Sequence, residues 1–203
     1  MRKFTLSLIV AILVFGGLQA TAKVHDSRAL EADPFQSEQP VAPQLKGLGE
    51  YSLPVSTSSS ESQFFFDQGL KLTYAFNHSE ALRSFKEAVR LDPDNAMAYW
   101  GWALVLGPNL NLPMRPNVAS QAYEAIQRAV NLKKNVPAKE QAYIDALASR
   151  YVQEPPADRT PLDRAYAHAM KTVSVKYPQD LDAATLYAAS LMNLSPWNYW
   201  NLD

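Results

Sequence analysis

The sequence predicts an all-α protein, on three observations. Apolar residues recur at three- and four-residue spacing from about residue 61 to the end. No stretch of useful length alternates β-branched and polar residues in the manner of a strand. Asn, Asp, Gly and Pro stand where successive helices should start and stop.

Taken in order, the first element is not part of the fold. Met1-Arg2-Lys3 is a short positive segment, Phe4 to Leu18 is uncharged, and Gln19-Ala20-Thr21-Ala22 ends the run with small residues. This is the pattern of a secretory signal peptide over 1–22, cut after Ala22. At 15 residues the apolar run is shorter than the roughly 20 needed to cross a bilayer. With no Cys to acylate, the expected product is exported, periplasmic or secreted, with no stable membrane span once the leader is removed. Residues 23–60 follow, with Pro34, Pro40, Pro43, Pro54, seven Ser, and only Phe35 and Tyr51 as aromatics. So little apolar surface cannot offset chain entropy, and the segment reads as a flexible Ser/Pro-rich tether.

From 61 to 203 the pattern is helical, and this stretch is the expected folded domain. Ser60 or Ser62 is placed to cap the first helix, which ends near Phe76. Asn77-His78-Ser79-Glu80 reads as a turn opening the second, stopped at Asp92-Pro93. A second pair spans Asn95 to Leu106 and Val118 to Leu132, joined by a Pro-containing connection. A third spans Ala138 to Val152 and Leu162 to Tyr177, with Thr160-Pro161-x-Asp163 as its capping signal. Asp180 caps a last helix, Leu181 to Asn193.

Composition excludes more than it identifies. The chain of 203 residues has no Cys, three His and a formal charge of -1; without the leader 17 basic side chains face 20 acidic ones. That removes disulfide scaffolds, Cys-ligated zinc and thiol catalysis, and offers no basic cluster for nucleic acid.

The helix pairs carry a repeat. Phe65, Gly69, Leu72, Ala81, Phe85, Ala88 and Pro93 fall at the spacing of large, small and helix-breaking positions in a 34-residue unit. Small residues at 69 and 81 let two helices approach, Phe65 and Phe85 fill around that contact, and Pro93 ends the second helix. On these residues the chain resembles the tetratricopeptide repeat family. A second unit keeps Tyr99, Trp102, Ala103 and Leu106, then Ala122, Ile126 and Ala129 after an insertion of about seven residues. In the third, Tyr166, Met170 and Val173 take the second-helix places; in the fourth, Ala184, Tyr187, Ala188 and Leu191 match a first helix. The stretches Phe76-Asn77-His78-Ser79-Glu80-Ala81 and Ala98-Tyr99-Trp100-Gly101, with Leu106-Gly107-Pro108-Asn109, are similar to exported bacterial tetratricopeptide proteins of unassigned activity. The resemblance implies an α-solenoid of about three and a half repeats and a scaffold that binds a protein or peptide in its concave groove. First-helix positions facing that groove are Phe66, Leu70, Tyr74, Met97, Trp100 and Leu104. The alternatives for their role are packing between repeats, or a groove for a partner helix, a hydrophobic peptide or the protein's own tether.

No catalytic or metal-binding constellation stands out, and no cofactor motif is present. His78 fits turn chemistry better than a metal site, and His168 a partly buried helix face. Asp92/Asp94 and Asp180/Asp182 sit where helix starts favour acids. The aromatic end Trp197-x-Tyr199-Trp200, where an array is expected to close with a polar helix, points to self-association there or to an N-terminal piece of a larger exported enzyme or envelope-assembly component.

Overall fold

A computed structural model of the chain describes residues 39–200. The leader and residues 23–38 of the tether lie outside them, as do the last three residues. Among the described residues there are seven α-helices and no strand: α1 Ser60–Tyr74, α2 His78–Leu91, α3 Ala96–Leu106, α4 Ala119–Leu132, α5 Ala138–Ala148, α6 Thr160–Lys176 and α7 Leu181–Met192. The protein is all-α. Each helix packs on its successor, and α1, α3 and α5 also touch in series. No helix of the described residues is long and apolar enough to cross a membrane.

The starts follow from capping, with two corrections. Ser59, rather than Ser60 or Ser62, caps α1 by accepting from the Ser62 amide at 3.1 Å. Thr160 is the first residue of α6 and caps nothing; its own amide donates to the Asp158 carboxylate at 2.9 Å, which sets the turn into the helix. Asn95 caps α3 and Asp180 caps α7, the latter as expected.

The repeat-packing residues are buried where the pattern put them: Phe65, Gly69 and Leu72 on α1, Ala81, Phe85 and Ala88 on α2. Pro93 lies exposed in the turn that ends α2. Phe85 is a wedge. A methyl group added at Gly69 would come within 2.8 Å of its ring, and one added at Gly101 of α3 within 2.3 Å. The ring therefore lies between two side-chain-free stretches of helix, joining α1, α2 and α3 at one point. Tyr99, Trp102, Ala103, Leu106, Ala122, Ile126 and Ala129 are buried in the second pair, and Tyr166, Met170 and Val173 in α6. In α7 the buried face is Ala183, Leu186 and Ser190, while Ala184, Ala188 and Leu191 are exposed. His168 is exposed, not partly buried.

The tether reading fails for its second half. Residues 41–57 form a strap held on the helices, with Ala42 and Leu53 buried. Gly47 and Gly49, at φ 81° and 75°, turn the strap between its two arms. What the composition missed is that this segment is fixed through its main chain rather than through apolar side chains.

Candidate binding site

Helix α1 carries polar side chains that read the strap's backbone. The Gln68 amide accepts from Leu45 N at 2.7 Å and donates to Pro43 O at 3.0 Å. Gln63 repeats the arrangement, accepting from Val55 N and donating to Leu53 O, both at 3.0 Å. Asp67 accepts from Leu53 N at 3.0 Å and from the Ser52 hydroxyl at 2.6 Å. On α2, Glu87 accepts from Val41 N at 2.7 Å and Arg83 donates to Val41 O at 2.8 Å. Burial opposes the Glu87 charge, but hydrogen bonds from Arg90 and the strap amides outweigh it and hold the carboxyl below its ordinary range. Beyond the first pair, Glu140 on α5 accepts from Ser56 N and its hydroxyl at 3.0 and 2.9 Å. Asp182 on α7 accepts from the Tyr51 hydroxyl and, at 2.6 Å, from that of Tyr74. Burial, then Asp182, pushes both phenols up.

Most of the predicted groove is not open. Phe66, Leu70, Met97 and Trp100 are fully buried, and Leu104 nearly so. Trp100 donates its indole N–H to Tyr143 O at 3.1 Å and meets the Tyr143 ring edge-on. Phe66 meets Phe85 in the same way. These side chains are inter-helix core, Phe66 set against α2 and Trp100 against α5. Only Tyr74 and Leu104 reach a free surface, where they help line a cavity of about 550 Å³.

That cavity is assembled from the ends of α1 and α3, the loop after α3, α6 and the length of α7. Its walls are mainly apolar, with Leu104, Leu110, Leu186 and Met192 prominent, and its size falls within the range of small-molecule sites. Arg150, 2% exposed, lines it just past α5. Its Nε donates to Asp163 at 2.9 Å and its Nη2 to Pro108 O at 3.0 Å, and the guanidinium lies 4.8 Å from the Tyr166 ring centre. A side chain at Gly107 would collide with Arg150 Nη1 and the Tyr151 hydroxyl, at 3.0 and 2.5 Å.

At the mouth stand Phe76, His78 and Asn109. Helix α1 ends with Asn77 N donating to Leu72 O and Phe76 N to Thr73 O, a Schellman closure that puts Phe76 at φ 59°. Glycine is the usual residue there, and an aromatic one is strained. The exposed Phe76 ring stacks on His78, with centroids 6.0 Å apart. Asn111 N donates to Asn109 Oδ1 at 2.9 Å, so the Asn109 amide nitrogen is what meets His78 Nδ1 at 3.2 Å. His78 Nδ1 is then the acceptor and its ring proton sits on Nε2. Burial lowers its pKa, so the ring is neutral near pH 7. A second, smaller cavity of about 300 Å³ adjoins on the side of Asn77, Ser79 and Leu112.

Sequence reasoning assigned His78 to turn chemistry and did not single out Arg150, Asn109 or Tyr166 for a site. Among the described residues no group of three or more His, Asp and Glu side chains could hold a metal. No protein-family model, curated protein or solved structure matches the chain.

Proposed function

We propose that the chain is an exported helical-repeat scaffold of the tetratricopeptide kind, which holds an extended segment of a protein or peptide partner. The observation that carries this reading is the binding of residues 51–57. Asp182 on α7 holds the Tyr51 side chain, and an irregular, extended stretch of chain is gripped through its amides and carbonyls by Gln63, Asp67 and Glu140 on two first helices. Such contacts depend on backbone direction more than on side-chain identity, so the same row of groups accepts other extended segments. The buried small residues at 69, 81 and 101 and the serial contact of α1, α3 and α5 support the solenoid. The strap is then the resident occupant, and a partner segment takes its place.

The test uses the full chain and a fluorescent peptide with the sequence of residues 49–58. The tethered strap competes at an effective concentration on the order of millimolar, so the unaltered chain takes up little peptide. Leu53→Asp puts a carboxylate into a buried site beside Asp67 and loosens the strap. The variant should bind the peptide one to one with helicity unchanged. A folded variant that binds none of it removes the proposal. Export is checked separately: the isolated mature protein should begin at Lys23.

A further inference from the structure

A different site, independent of the strap, lies in the 550 Å³ cavity between α1, α3, α6 and α7. Its charge is not balanced. Arg150 and Arg159 share the single carboxylate of Asp163, at 2.9 and 3.7 Å, and Arg159 also donates to Arg150 O at 3.1 Å. Two buried or half-buried guanidiniums against one carboxylate leave a surplus positive charge, and of the two it is Arg150 that lines the apolar space. There water screens little and the attraction for an anion is strong.

The donors point the same way. Of the Arg150 nitrogens, Nε and Nη2 are committed to Asp163 and Pro108, while Nη1 hydrogen-bonds to no described residue. His78, at the mouth, presents an Nε2–H because Asn109 occupies Nδ1. The α7 side contributes Leu186, Ala189 and Met192 and no charge. The nearest acid on that helix, Asp182, is turned to the hydroxyls of Tyr51 and Tyr74. The cavity thus has a positive charge at its inner end, a neutral donor at its mouth and hydrocarbon along its length.

We propose that this cavity binds an apolar small molecule with a terminal carboxylate, of the fatty-acid type. Its chain lies between Leu104, Leu186 and Met192, and its carboxylate accepts from Arg150. Displacing no existing hydrogen bond, the carboxylate takes the free Nη1 donor and offsets the surplus charge, a contact stronger than a neutral one.

Calorimetric titration of the full chain with octanoate, decanoate and dodecanoate, and with 1-octanol, tests the assignment. One saturable site per chain is expected, tightening about fourfold per added methylene until the cavity is full. Octanoate should bind about tenfold or more tighter than 1-octanol. Ala189→Trp, on the half-exposed wall of α7, fills the cavity and should abolish binding with helicity retained. If it misfolds, Thr185→Trp, at an exposed lining position, replaces it. Absence of saturable binding of any acid overturns the proposal. Equal affinity for acid and alcohol overturns the role of Arg150, and undiminished binding by the filled variant overturns the location. Failure of peptide uptake by the loosened strap leaves these results untouched.

Discussion

The Phe85 wedge gives the sharpest test of how the repeats are joined. Replacing Gly101 by Ala adds one methyl group whose carbon would lie 2.3, 2.5 and 2.7 Å from three atoms of the Phe85 ring. Contacts that short force the ring or the helices apart, and overpacking of this kind costs about 1–3 kcal/mol. The ring has little room to move, because the same three atoms also lie close to Gly69 and the ring is fully buried. Against this, alanine favours a helix over glycine by about 1 kcal/mol. With steric cost at the upper end, the net loss is about 2 kcal/mol, or about 4–8 °C in midpoint for a domain of this size. Gly69→Ala, whose closest approach is 2.8 Å, should lose less. Urea unfolding followed by circular dichroism measures both, as a lower midpoint with unchanged slope. The double variant Gly101→Ala with Phe85→Leu removes the flat ring, so the alanine should become neutral or stabilising there. If Gly101→Ala raises the midpoint, or costs as much in the Phe85→Leu background as with the ring in place, the wedge does not join the helices.

Asn95, fully buried, caps α3 through Ala98 N at 3.0 Å and donates to Ser62 Oγ, which in turn donates to Ala88 O. Asn95→Ala should therefore cost about 2–4 kcal/mol, more than an exposed cap, as read by thermal unfolding. Trp100→Ala should cost about 3–5 kcal/mol and disturb helicity, which makes it unsuitable for probing partner capture. Lys86 is buried over the Trp102 ring, and burial lowers its pKa to about 8. Since the unfolded chain then holds more protons than the folded one, stability should rise between about pH 8 and 10; Lys86→Met should remove that rise and be the more stable protein at pH 7. A midpoint that is flat over this interval in the parent protein refutes the burial argument for Lys86. In a proton NMR titration, His78 should remain neutral below the ordinary histidine range, and an unshifted midpoint would count against its burial at the cavity mouth.

The helices were legible because each presents a periodic apolar face that other helices bury, as with Phe65, Leu72, Phe85 and Ala88. Position 101 escaped notice since glycine in a helix is uninformative until the ring it admits is known. The strap was illegible for a physical reason. Sequence patterns report side-chain burial, whereas residues 41–57 are held by their own amides and carbonyls, and the groups that hold them, Gln63, Asp67 and Gln68, look like ordinary polar helix positions. The groove assignment failed in the opposite direction. Phe66, Met97 and Trp100 have the right spacing to line a concave surface, but apolarity does not distinguish a lining from a core. The cavity draws on residues from 73 to 193 and belongs to no single periodic segment.

The strap also has a bearing on the order of events as the chain is made. Its earliest anchors, Gln63, Gln68 and Glu87, are synthesised soon after it, while Glu140 and Asp182 arrive some 80 to 130 residues later. A chain produced from its N-terminus can dock the first arm, and begin docking the second on Gln63 and Asp67, once α1 and α2 exist, but the second arm gains its remaining latches only with α5 and α7. The contact of Tyr51 and Tyr74 with Asp182 is thus the latest made of the strap's anchors among the described residues. It ties α1 to α7, a longer reach along the stack than the contacts of α1 with α3 and of α3 with α5, so that loosening of either helix bears on the other.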